Sequence, residues 1–526
     1  MKPRTVPGSI FAVAAGLLAV AAQAADPEGG PIVEPFNKNA VVATWRNMAN
    51  EQVMFPLDMQ DIAVSIGKER QLFLDNTLIA NAQNVTRQVH QPDRYAHNPV
   101  LQPAKVKMNH AVVQHVLQFQ TAPRFRMWYW SWDDWQTLPS GQRIRHGVSY
   151  ATSDDGVNWE KPALDLHKIE GLDEPNVVIP YGMTHGVFHD PEDPDPQKRF
   201  KALVCVERKN PTVREGYYLH TSPDGIHWKG DLTRCILPSL LGYAIPQTGL
   251  GDTTRFWWDP IRKKYIGDVK FVVYGKQRGR GIMESDDLIH WSRPRPTFVG
   301  RADDAQIYGH FGFAYQGMYI GTRWIFLPKY SKRHSSYVEL DCSRDGLTWT
   351  RVGAGQPFMA FNPRHDTWDA TCIRPISLLE VDDEIWIYYF AAPSELESRN
   401  PDYPASAPLD WSAGLAKLPR DRFVSINGGD QVGRLVTRPL GLSFKGRRLH
   451  VNAAVASDGE LRVELLTYDG KTMAGFTAGD CNPVRADAID IPVRWTHGSD
   501  IEAFDDSDVR IAFSLRNAKL FSFWLE

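Results

Sequence analysis

Cysteine is scarce in this chain of 526 residues, which contains only five. The five are far apart in the sequence: Cys205, Cys235, Cys342, Cys372 and Cys481. None belongs to the closely spaced pairs that structural zinc sites use, so the sequence predicts no metal centre of that kind. An odd number of cysteines also leaves at least one thiol without a disulfide partner.

Long apolar runs are also missing, apart from one near the N-terminus. Lys2 and Arg4 precede an apolar stretch over residues 10–22, and Ala24 ends a small-residue segment just after it. The stretch is too short to span a bilayer, and its flanks are typical of a cleaved signal peptide. We therefore expect residues 1–24 to direct export to the periplasm or the extracellular space, and we expect no membrane span.

No excess of charge of either sign is present, since 59 basic and 62 acidic residues give a net charge of -3. Nucleic acids and anionic membranes are bound by concentrated basic surfaces. The sequence therefore predicts neither as a partner.

Aromatic residues, by contrast, are abundant, with 17 Trp and 18 Tyr. Such rings fill large β-rich cores, and they also serve as stacking platforms for sugars. The composition is compatible with a carbohydrate partner but does not by itself establish one.

A repeat organises the middle of the chain. Four segments with the pattern Ser-x-Asp-(Gly/Leu)-x-x-Trp begin at Ser153, Ser222, Ser285 and Ser343. Ser and Asp side chains bond the backbone of a turn and Gly supplies a left-handed conformation, so the pattern predicts a hairpin turn. The spacing of roughly 60 to 70 residues fits four strands with generous loops, as in a propeller blade. We expect the four tryptophans, at positions 159, 228, 291 and 349, to be mostly buried at equivalent places in successive blades.

Strand-like runs precede each turn, and a fifth such run without the turn extends over residues 373–418. Units of about 67 residues across positions 90–422 give five blades, which close into a ring. From residue 423 to 526, short alternating strands separated by Asp-Gly turns are typical of a sandwich. The sequence therefore predicts an all-β protein, a five-bladed β-propeller followed by a C-terminal β-sandwich. Residues 25–89 are expected to join the propeller, with the strand at residues 71–75 completing its ring.

These features together resemble a known group of proteins. The four turns, the segment Phe73-Leu74-Asp75-Asn76, the entry His90-Gln91-Pro92 with Asn98-Pro99-Val100, and the closing sandwich are similar to the secreted glycoside hydrolase family 32 N-terminal-domain-like proteins. The resemblance implies the five-bladed fold of glycosidase families 32, 43 and 68. The three catalytic motifs of family 32 (Trp-Met-Asn-Asp-Pro-Asn-Gly, Arg-Asp-Pro and Glu-Cys) are absent from the sequence, so it does not imply cleavage of sucrose or fructan.

Polar residues that open the innermost strands of a propeller face a cavity at one mouth of the ring. Glycoside hydrolysis uses two carboxyl groups, one as an acid and one as a nucleophile or base. Asp252 and Asp369 are the leading catalytic pair, and Asp304 is a third candidate, as an alternative acid or as a charge that shifts the pKa of the others. A strand-end cap or a loop bond is the competing interpretation for each.

Other residues near these openings are candidates for substrate binding: His110, His185, Tyr308, His310, Trp368, Arg374 and, in a polar loop, Trp132. Three histidines could in principle hold a metal, but hydrogen bonding is the better interpretation, and no metal or other cofactor is predicted. The planar fork of Arg374 would suit a carboxylated or sulfated sugar.

The sequence thus predicts a glycoside hydrolase-like protein that acts on a poly- or oligosaccharide through carboxylates near the axis. Two alternatives remain open. One is a carbohydrate-binding propeller without catalysis, and the other is a polysaccharide lyase in which Tyr308, His310 and Arg374 act instead. Two carboxylates roughly 5 to 10 Å apart would favour hydrolysis, whereas a site of His, Tyr and Arg would favour elimination.

Overall fold

A computed structural model of the chain describes residues 62–526 except 104–108, 133–134, 138–142, 170–173, 207–212, 239–252, 274–276, 300–305, 328–334, 361, 363–365, 371, 394–410, 443–447, 500 and 502–507, together with the backbone of residues 42–46 and 52–56. Regular structure in these ranges consists of β-strands and two short 3-10 turns, Pro196–Lys198 and Gly353–Gly355. None of the described residues forms a helix that is long and apolar enough to cross a membrane.

Seven short strands precede the first blade. They are β1 (Val42–Arg46), β2 (Gln52–Pro56), β3 (Val64–Ile66), β4 (Gln71–Leu72), β5 (Ile79–Gln83), β6 (Val85–Val89) and β7 (Asp93–Arg94). The first two pair with each other as an antiparallel hairpin.

The first three blades are antiparallel sheets whose main strands lie side by side in chain order. Blade 1 contains β8 (Asn109–Gln118), β9 (Phe125–Trp132), β12 (Val148–Ser153) and β13 (Val177–Ile179), and carries β10 (Trp135–Thr137) with β11 (Arg143–Arg145). Blade 2 contains β14 (Met183–His189), β15 (Phe200–Val206), β16 (Gly216–Ser222), β17 (Lys229–Gly230) and β18 (Leu237–Pro238). Blade 3 contains β19 (Arg255–Asp259), β20 (Lys264–Val273), β21 (Gln277–Ser285) and β22 (Arg295–Val299).

The last two blades complete the ring. Blade 4 contains β23 (Gln306–Tyr315), β24 (Met318–Leu327), β25 (Ser335–Ser343) and β26 (Thr350–Arg351). Blade 5 contains β27 (Cys372–Val381), β28 (Glu384–Ala392) and β29 (Ser412–Pro419), and its outermost strand is β7, from before the first blade. Because β7 pairs with β29, the two ends of the propeller are held together in one sheet.

The innermost strands of the five blades form a closed circle. Strand β8 contacts β14 and β27, β14 contacts β19, and β23 contacts both β19 and β27. The predicted all-β fold with a five-bladed propeller is therefore confirmed.

The repeated Ser-Asp segments are the predicted turns. In blade 2, the Ser222 hydroxyl and the Asp224 carboxylate accept hydrogen bonds from the backbone N–H groups of Gly225, Ile226 and His227. Gly225 has a φ of 81°, which is the left-handed conformation that glycine tolerates best. Its carbonyl accepts a bond from Trp128 of blade 1, so this turn also joins two blades.

The tryptophans of these turns differ in the depth of their burial. Trp159, Trp228 and Trp291 are mostly buried, and each indole N–H donates to the carbonyl of the residue three positions earlier. Trp349 is more deeply buried, and its ring packs edge-on against His310 at 4.7 Å. All four are therefore mostly buried and stand at the same position of the turn in successive blades, as predicted, and Trp349 is the most deeply buried of them.

The C-terminal strands are β30 (Val424–Gly428), β31 (Gly433–Thr437), β32 (Leu440–Leu442), β33 (Leu449–Leu466), β34 (Asp487–Pro492) and β35 (Arg510–Leu525). The two longest, β33 and β35, pair along their lengths with a register shift between Val455 and Glu460. The half of β35 before the shift pairs with β31, and the half after it pairs with β30 and β4. One continuous sheet thus encloses a separate apolar core that includes Phe513 and Phe523.

The segment before the propeller belongs to this sandwich and not to the ring. Strands β3, β4, β5 and β6 pair with β32, β35, β31 and β30, respectively. The expectation that the strand near Gln71 completes the propeller is therefore wrong, because β7 does so. Asp75 lies at the boundary between the two units, where both its oxygens are 3.0 Å from the Arg344 guanidinium of blade 4.

Candidate functional site

The innermost strands of blades 3, 4 and 5 begin next to one another at one end of the ring. The hydroxyl of Thr253, just before β19, donates to the carbonyl of Tyr308 in β23 at 2.7 Å. The guanidinium carbon of Arg374 in β27 lies 4.5 Å from the centre of the Tyr308 ring. These strand openings therefore converge on Tyr308, and we call this end of the ring the mouth.

Three basic side chains surround the ring of Tyr308. The charged groups of Arg374, Lys270 and Arg278 lie 4.5, 4.9 and 5.5 Å from its centre, within the range of a cation–π attraction. Lys270 and Arg278 are half-buried, and Arg278 also donates to the side-chain oxygen of Gln306. We refer to Lys270, Arg278 and Arg374 as the cationic group.

Arg374 is held among aromatic rings. Besides Tyr308, the rings of Trp411, Phe390 and Trp324 have their centres 5.1, 5.7 and 5.9 Å from its guanidinium carbon. Only 6% of Arg374 is exposed. Such packing restricts the rotamers of a long side chain, so the donor fork is oriented before any ligand arrives.

A second arginine spans the interior of the ring. Arg255, the first residue of β19 in blade 3, donates from Nη1 to Gln114 Oε1 of blade 1 at 2.8 Å, and both side chains are buried. Burial and the charge of Arg255 lower the pKa of His115 to about 4, so that imidazole is neutral near neutral pH. Arg255 therefore links blades that are not neighbours.

A buried network supports the backbone of the mouth. Arg280 donates to the carbonyl of Thr253 at 3.0 Å and to the carbonyl of Tyr308 at 3.3 Å. Asp268 accepts from Arg280 and is 2.8 Å from Nδ1 of His310. Arg280, Asp268 and His310 have no exposed surface, so this network holds the backbone of the strand openings from the protein interior.

His310 is therefore placed differently from the prediction. Its Nδ1 faces Asp268, and its Nε2 is 3.5 Å from Asp341, whose pKa is raised by burial against the opposing effect of Arg323 and His310. With no exposed surface, His310 cannot contact a substrate directly. The substrate-binding assignment of His310 is thus corrected to a buried link between blades 3 and 4.

The two other predicted histidines lie in blades 1 and 2. His185 Nδ1 is 2.8 Å from the hydroxyl of Tyr217, and His185 is buried. His110 packs edge-on against Trp130, with 5.2 Å between ring centres, and His146 packs on the same indole at 4.6 Å. In the part of the chain that the structure describes, no three potential metal ligands gather into a metal site.

Asp369 was predicted to face the mouth, but its contacts lie within blade 5. Its Oδ1 accepts from Asn362 and Thr367, each at 2.8 Å, and its Oδ2 is 3.2 Å from Arg94 Nε in β7, the outermost strand of blade 5. Trp368 stacks on Tyr389 of the second strand, with 5.8 Å between ring centres. These contacts are those of a buried loop anchor in the body of blade 5, and they do not favour roles in catalysis for Asp369 or in substrate binding for Trp368.

Three further predicted residues cannot be placed. Asp252 and Asp304 lie outside the described residues, as does the predicted signal peptide over residues 1–24. For Trp132 the described part is the backbone, which pairs with Asn109 at the mouth end of β8 and β9. Asp252 directly precedes Thr253 in the sequence, and Asp304 stands two residues before Gln306.

Sequence reasoning missed several charged residues of this region: Arg255, Asp268, Lys270, Arg278 and Arg280. A signal for Arg255 was present, because it follows directly on the strand opening at Thr253. Asp268 with Lys270 and Arg278 with Arg280 stand at alternate positions of β20 and β21. Alternating charges in a strand ordinarily indicate a solvated face, and here part of them is buried between blades.

Comparison with known proteins gives distant structural likenesses. No protein-family model matches the sequence, and a search of curated proteins finds no match. Among solved structures, an N-acetylgalactosamine deacetylase from F. plautii in complex with blood group B trisaccharide is 17% identical, with a TM-score of 0.41, over 65% of this chain and 96% of the other. A glycosyl hydrolase from Bacteroides ovatus is 12% identical, with a TM-score of 0.40, over 63% and 94%.

A third structure covers more of this chain. A glycoside hydrolase family 43 arabinoxylan arabinofuranohydrolase from Bacillus subtilis, in complex with cellotetraose, is 11% identical, with a TM-score of 0.36, over 83% of this chain and 99% of the other. The similarity to glycoside hydrolases is therefore distant and concerns the fold alone.

Proposed function

We propose that this protein is a carbohydrate-active enzyme that cleaves a poly- or oligosaccharide at the mouth of the propeller. The observation that carries the proposal is the convergence of three innermost strands on Tyr308 and Arg374, an aromatic ring and a charged donor, with the backbone of Tyr308 held by the buried Arg280. Pockets that combine apolar walls with a few oriented polar groups are the usual ligand sites of proteins. The likeness to solved glycoside hydrolases is too distant to add support.

Hydrolysis is the first candidate reaction. It needs two carboxyl groups near the scissile bond, and the contacts of Asp369 withdraw it from the pair. We assign the roles to Asp252 and Asp304, since each stands within two residues of a side chain that belongs to the mouth, Thr253 and Gln306. One would protonate the leaving oxygen, and the other would attack or activate water.

Elimination is the second candidate reaction, and the arrangement of Tyr308 and Arg374 favours it. A lyase removes the proton next to a uronate carboxylate with a base such as Tyr, while a cation stabilises the negative charge that develops. The 4.5 Å between the Tyr308 ring and the Arg374 guanidinium would allow both groups to contact one sugar residue.

One experiment tests the proposal and separates the two reactions. The mature protein is incubated with a panel of plant and algal glycans, and both new reducing ends and the ultraviolet absorbance of unsaturated products are measured. Reducing ends without the absorbance indicate hydrolysis, and both together indicate elimination. If no glycan of the panel gives a product, the proposed enzymatic function is wrong and a binding role replaces it.

Variants then assign the catalytic groups. Asp252→Asn and Asp304→Asn keep the size of the side chains and remove their charges, so either change is expected to lower hydrolysis at least about a hundredfold. Asp286→Asn is the matched control, because its carboxylate is 76% exposed in the turn of blade 3. If both site variants cleave as well as the control, the carboxylate assignment fails.

We also propose that the protein is exported by its N-terminal segment. The mature chain is then expected to begin near Ala25, because small residues precede that position. N-terminal sequencing of the protein from the periplasm or the culture medium would find this start, whereas an uncleaved Met1 in the cytoplasm would refute export.

A further inference from the structure

The cationic group of the mouth points to a particular class of saccharide. We propose that the substrate carries an anionic substituent, a carboxylate or a sulfate, and that Arg374, Lys270 and Arg278 bind it beside Tyr308. This inference rests on the proposed function, because it places the sugar at the same mouth.

The first argument is the density of positive charge. The three charged centres lie 4.5 to 5.5 Å from one ring centre, so no two of them are more than about 10 Å apart, which is roughly one Debye length at physiological salt. Their potentials therefore add beside Tyr308 and draw anions towards it.

The second argument is the geometry of Arg374. A guanidinium donates two parallel hydrogen bonds to a carboxylate or a sulfate, and this match depends on the orientation of the fork. The four rings around Arg374 fix that orientation in advance, which lowers the entropy lost on binding.

The third argument is the difference in exposure among the three side chains of the cationic group. Lys270 and Arg278 are half-buried, on the more accessible side of the group, whereas Arg374 is 6% exposed. Arg278 is also tied to Gln306, which adds an amide next to the two charges. An incoming anion would thus meet the accessible charges first and the oriented fork of Arg374 last.

The test uses pairs of glycans that share a backbone and differ in charge. Polygalacturonate is compared with its methyl ester for the carboxylate, and carrageenan with desulfated carrageenan for the sulfate, by isothermal titration calorimetry with the full mature chain. We expect binding to one charged member at least about tenfold tighter than to its neutral partner. We also expect that preference to shrink as salt is raised. Equal affinity for the charged and neutral members of both pairs would overturn the inference.

Two variants locate the binding. Arg374→Lys keeps the charge but removes the fork, and Lys270→Gln removes the charge of a half-buried side chain. Each is expected to weaken binding of the charged glycan by about tenfold to a hundredfold, the effect of losing a hydrogen bond to a charged group. Lys471→Gln is the matched control, since Lys471 is 80% exposed in the sandwich and its loss should leave the affinity unchanged.

The outcomes also separate this inference from the proposed function. Cleavage of neutral and charged glycans without preference would support the proposed enzymatic function and contradict the inference of an anionic substrate. Tight binding of a charged glycan that never yields a product would support the anionic ligand and overturn catalysis. If Arg374→Lys does not fold, as judged by its thermal midpoint, the result with Lys270→Gln decides, and unchanged affinity there counts against the inference.

Discussion

The hydroxyl of Tyr315 donates to Oδ1 of Asp421 over 2.6 Å, and this bond joins the end of β23 in blade 4 to the connection between propeller and sandwich. The other oxygen of Asp421 accepts from Ser522 of the sandwich at 2.7 Å and from Arg70 at 3.1 Å. Asp421 has no exposed surface. Burial and the adjacent Asp421 carboxylate raise the pKa of Tyr315, so the phenol stays protonated and keeps its donor role.

Replacing Asp421 should lower the free energy of unfolding by weakening the connection between propeller and sandwich. Asp421→Ala leaves the half-buried Arg70 and the buried Tyr315 and Ser522 without their shared acceptor, and removing one partner of a buried ion pair costs about 3–5 kcal/mol. Tyr315→Phe removes one of the three donors and should cost about 1–3 kcal/mol. Calorimetric unfolding would measure both, and an Asp421→Ala protein as stable as the parent would show that this connection does not matter.

The blade 2 turn should be sensitive to a single methyl group. A Cβ at Gly225 would lie 2.7 Å from Trp128 Cζ2, and Gly225 has a φ of 81°. Gly225→Ala therefore combines backbone strain of about 1–2 kcal/mol with overpacking of about 1–3 kcal/mol.

Gly470→Ala is the control for this turn. Gly470 has a φ of 84°, and no atom lies within 4 Å of the place that an added methyl group would take, so only the strain applies. The two free energies of unfolding should differ by the overpacking contribution. Equal losses for both variants would mean that the contact with Trp128 relaxes without cost.

The turns should also make the propeller less stable in acid. Burial raises the pKa of Asp155, but hydrogen bonds from Asn158, Val157 and Ser153 outweigh it and lower the pKa from 3.8 to about 2. The same kinds of contact lower the pKa of Asp224 to about 2. A pKa that is lower in the folded state stabilises the fold above the unfolded value, and the contribution is lost as the pH falls from 3.8 towards about 2.

Thermal unfolding across that pH range would measure this loss. Asp155→Asn retains an acceptor oxygen but does not ionise, so its midpoint should fall less steeply with pH than that of the parent. Identical pH profiles for the two proteins would show that Asp155 contributes nothing to the acid sensitivity.

Thr253 should matter for cleavage more than for folding. Thr253→Val preserves the shape of the side chain and removes the hydroxyl that bonds Tyr308 and accepts from Arg280, a loss of about 1 kcal/mol in stability. Because this bond fixes two strand openings, the variant should cleave a glycan that the parent cleaves at a rate lower by about tenfold or more. Thr253→Ser should restore turnover, and failure of that rescue would argue against a positioning role.

How far the sequence could predict this molecule depends on the range of the interactions involved. The turn at Ser222 depends on side chains within seven consecutive residues, so the local sequence was enough to predict it. The pairing of β4 with β35 joins residues that are far apart in the chain, and no local pattern around Gln71 identifies that partner. Local order likewise placed Asp369 at a strand opening, but its partner Arg94 belongs to a strand that comes before the first blade.

The same limit applies to the site. Tyr308 and Arg374 were predicted from their positions at strand openings, and the structure brings them together. Arg280 was not predicted, because a charged residue inside a strand gives no sequence signal that it is buried. Its role depends on partners that are distant in the sequence, Thr253 just before β19 and Tyr308 in β23.

The pairing of β3 to β6 with the C-terminal strands also constrains the order in which the chain can fold. A ribosome finishes these four strands some 330 residues before β30, the first of their partners, exists, so they must wait with open edges while all five blades are made. Closure of the ring by β7 waits in the same way for β29. Unpaired edges invite wrong pairing, and the long sequence separations predict slow folding. A protein built in this way benefits from remaining unfolded until synthesis is complete.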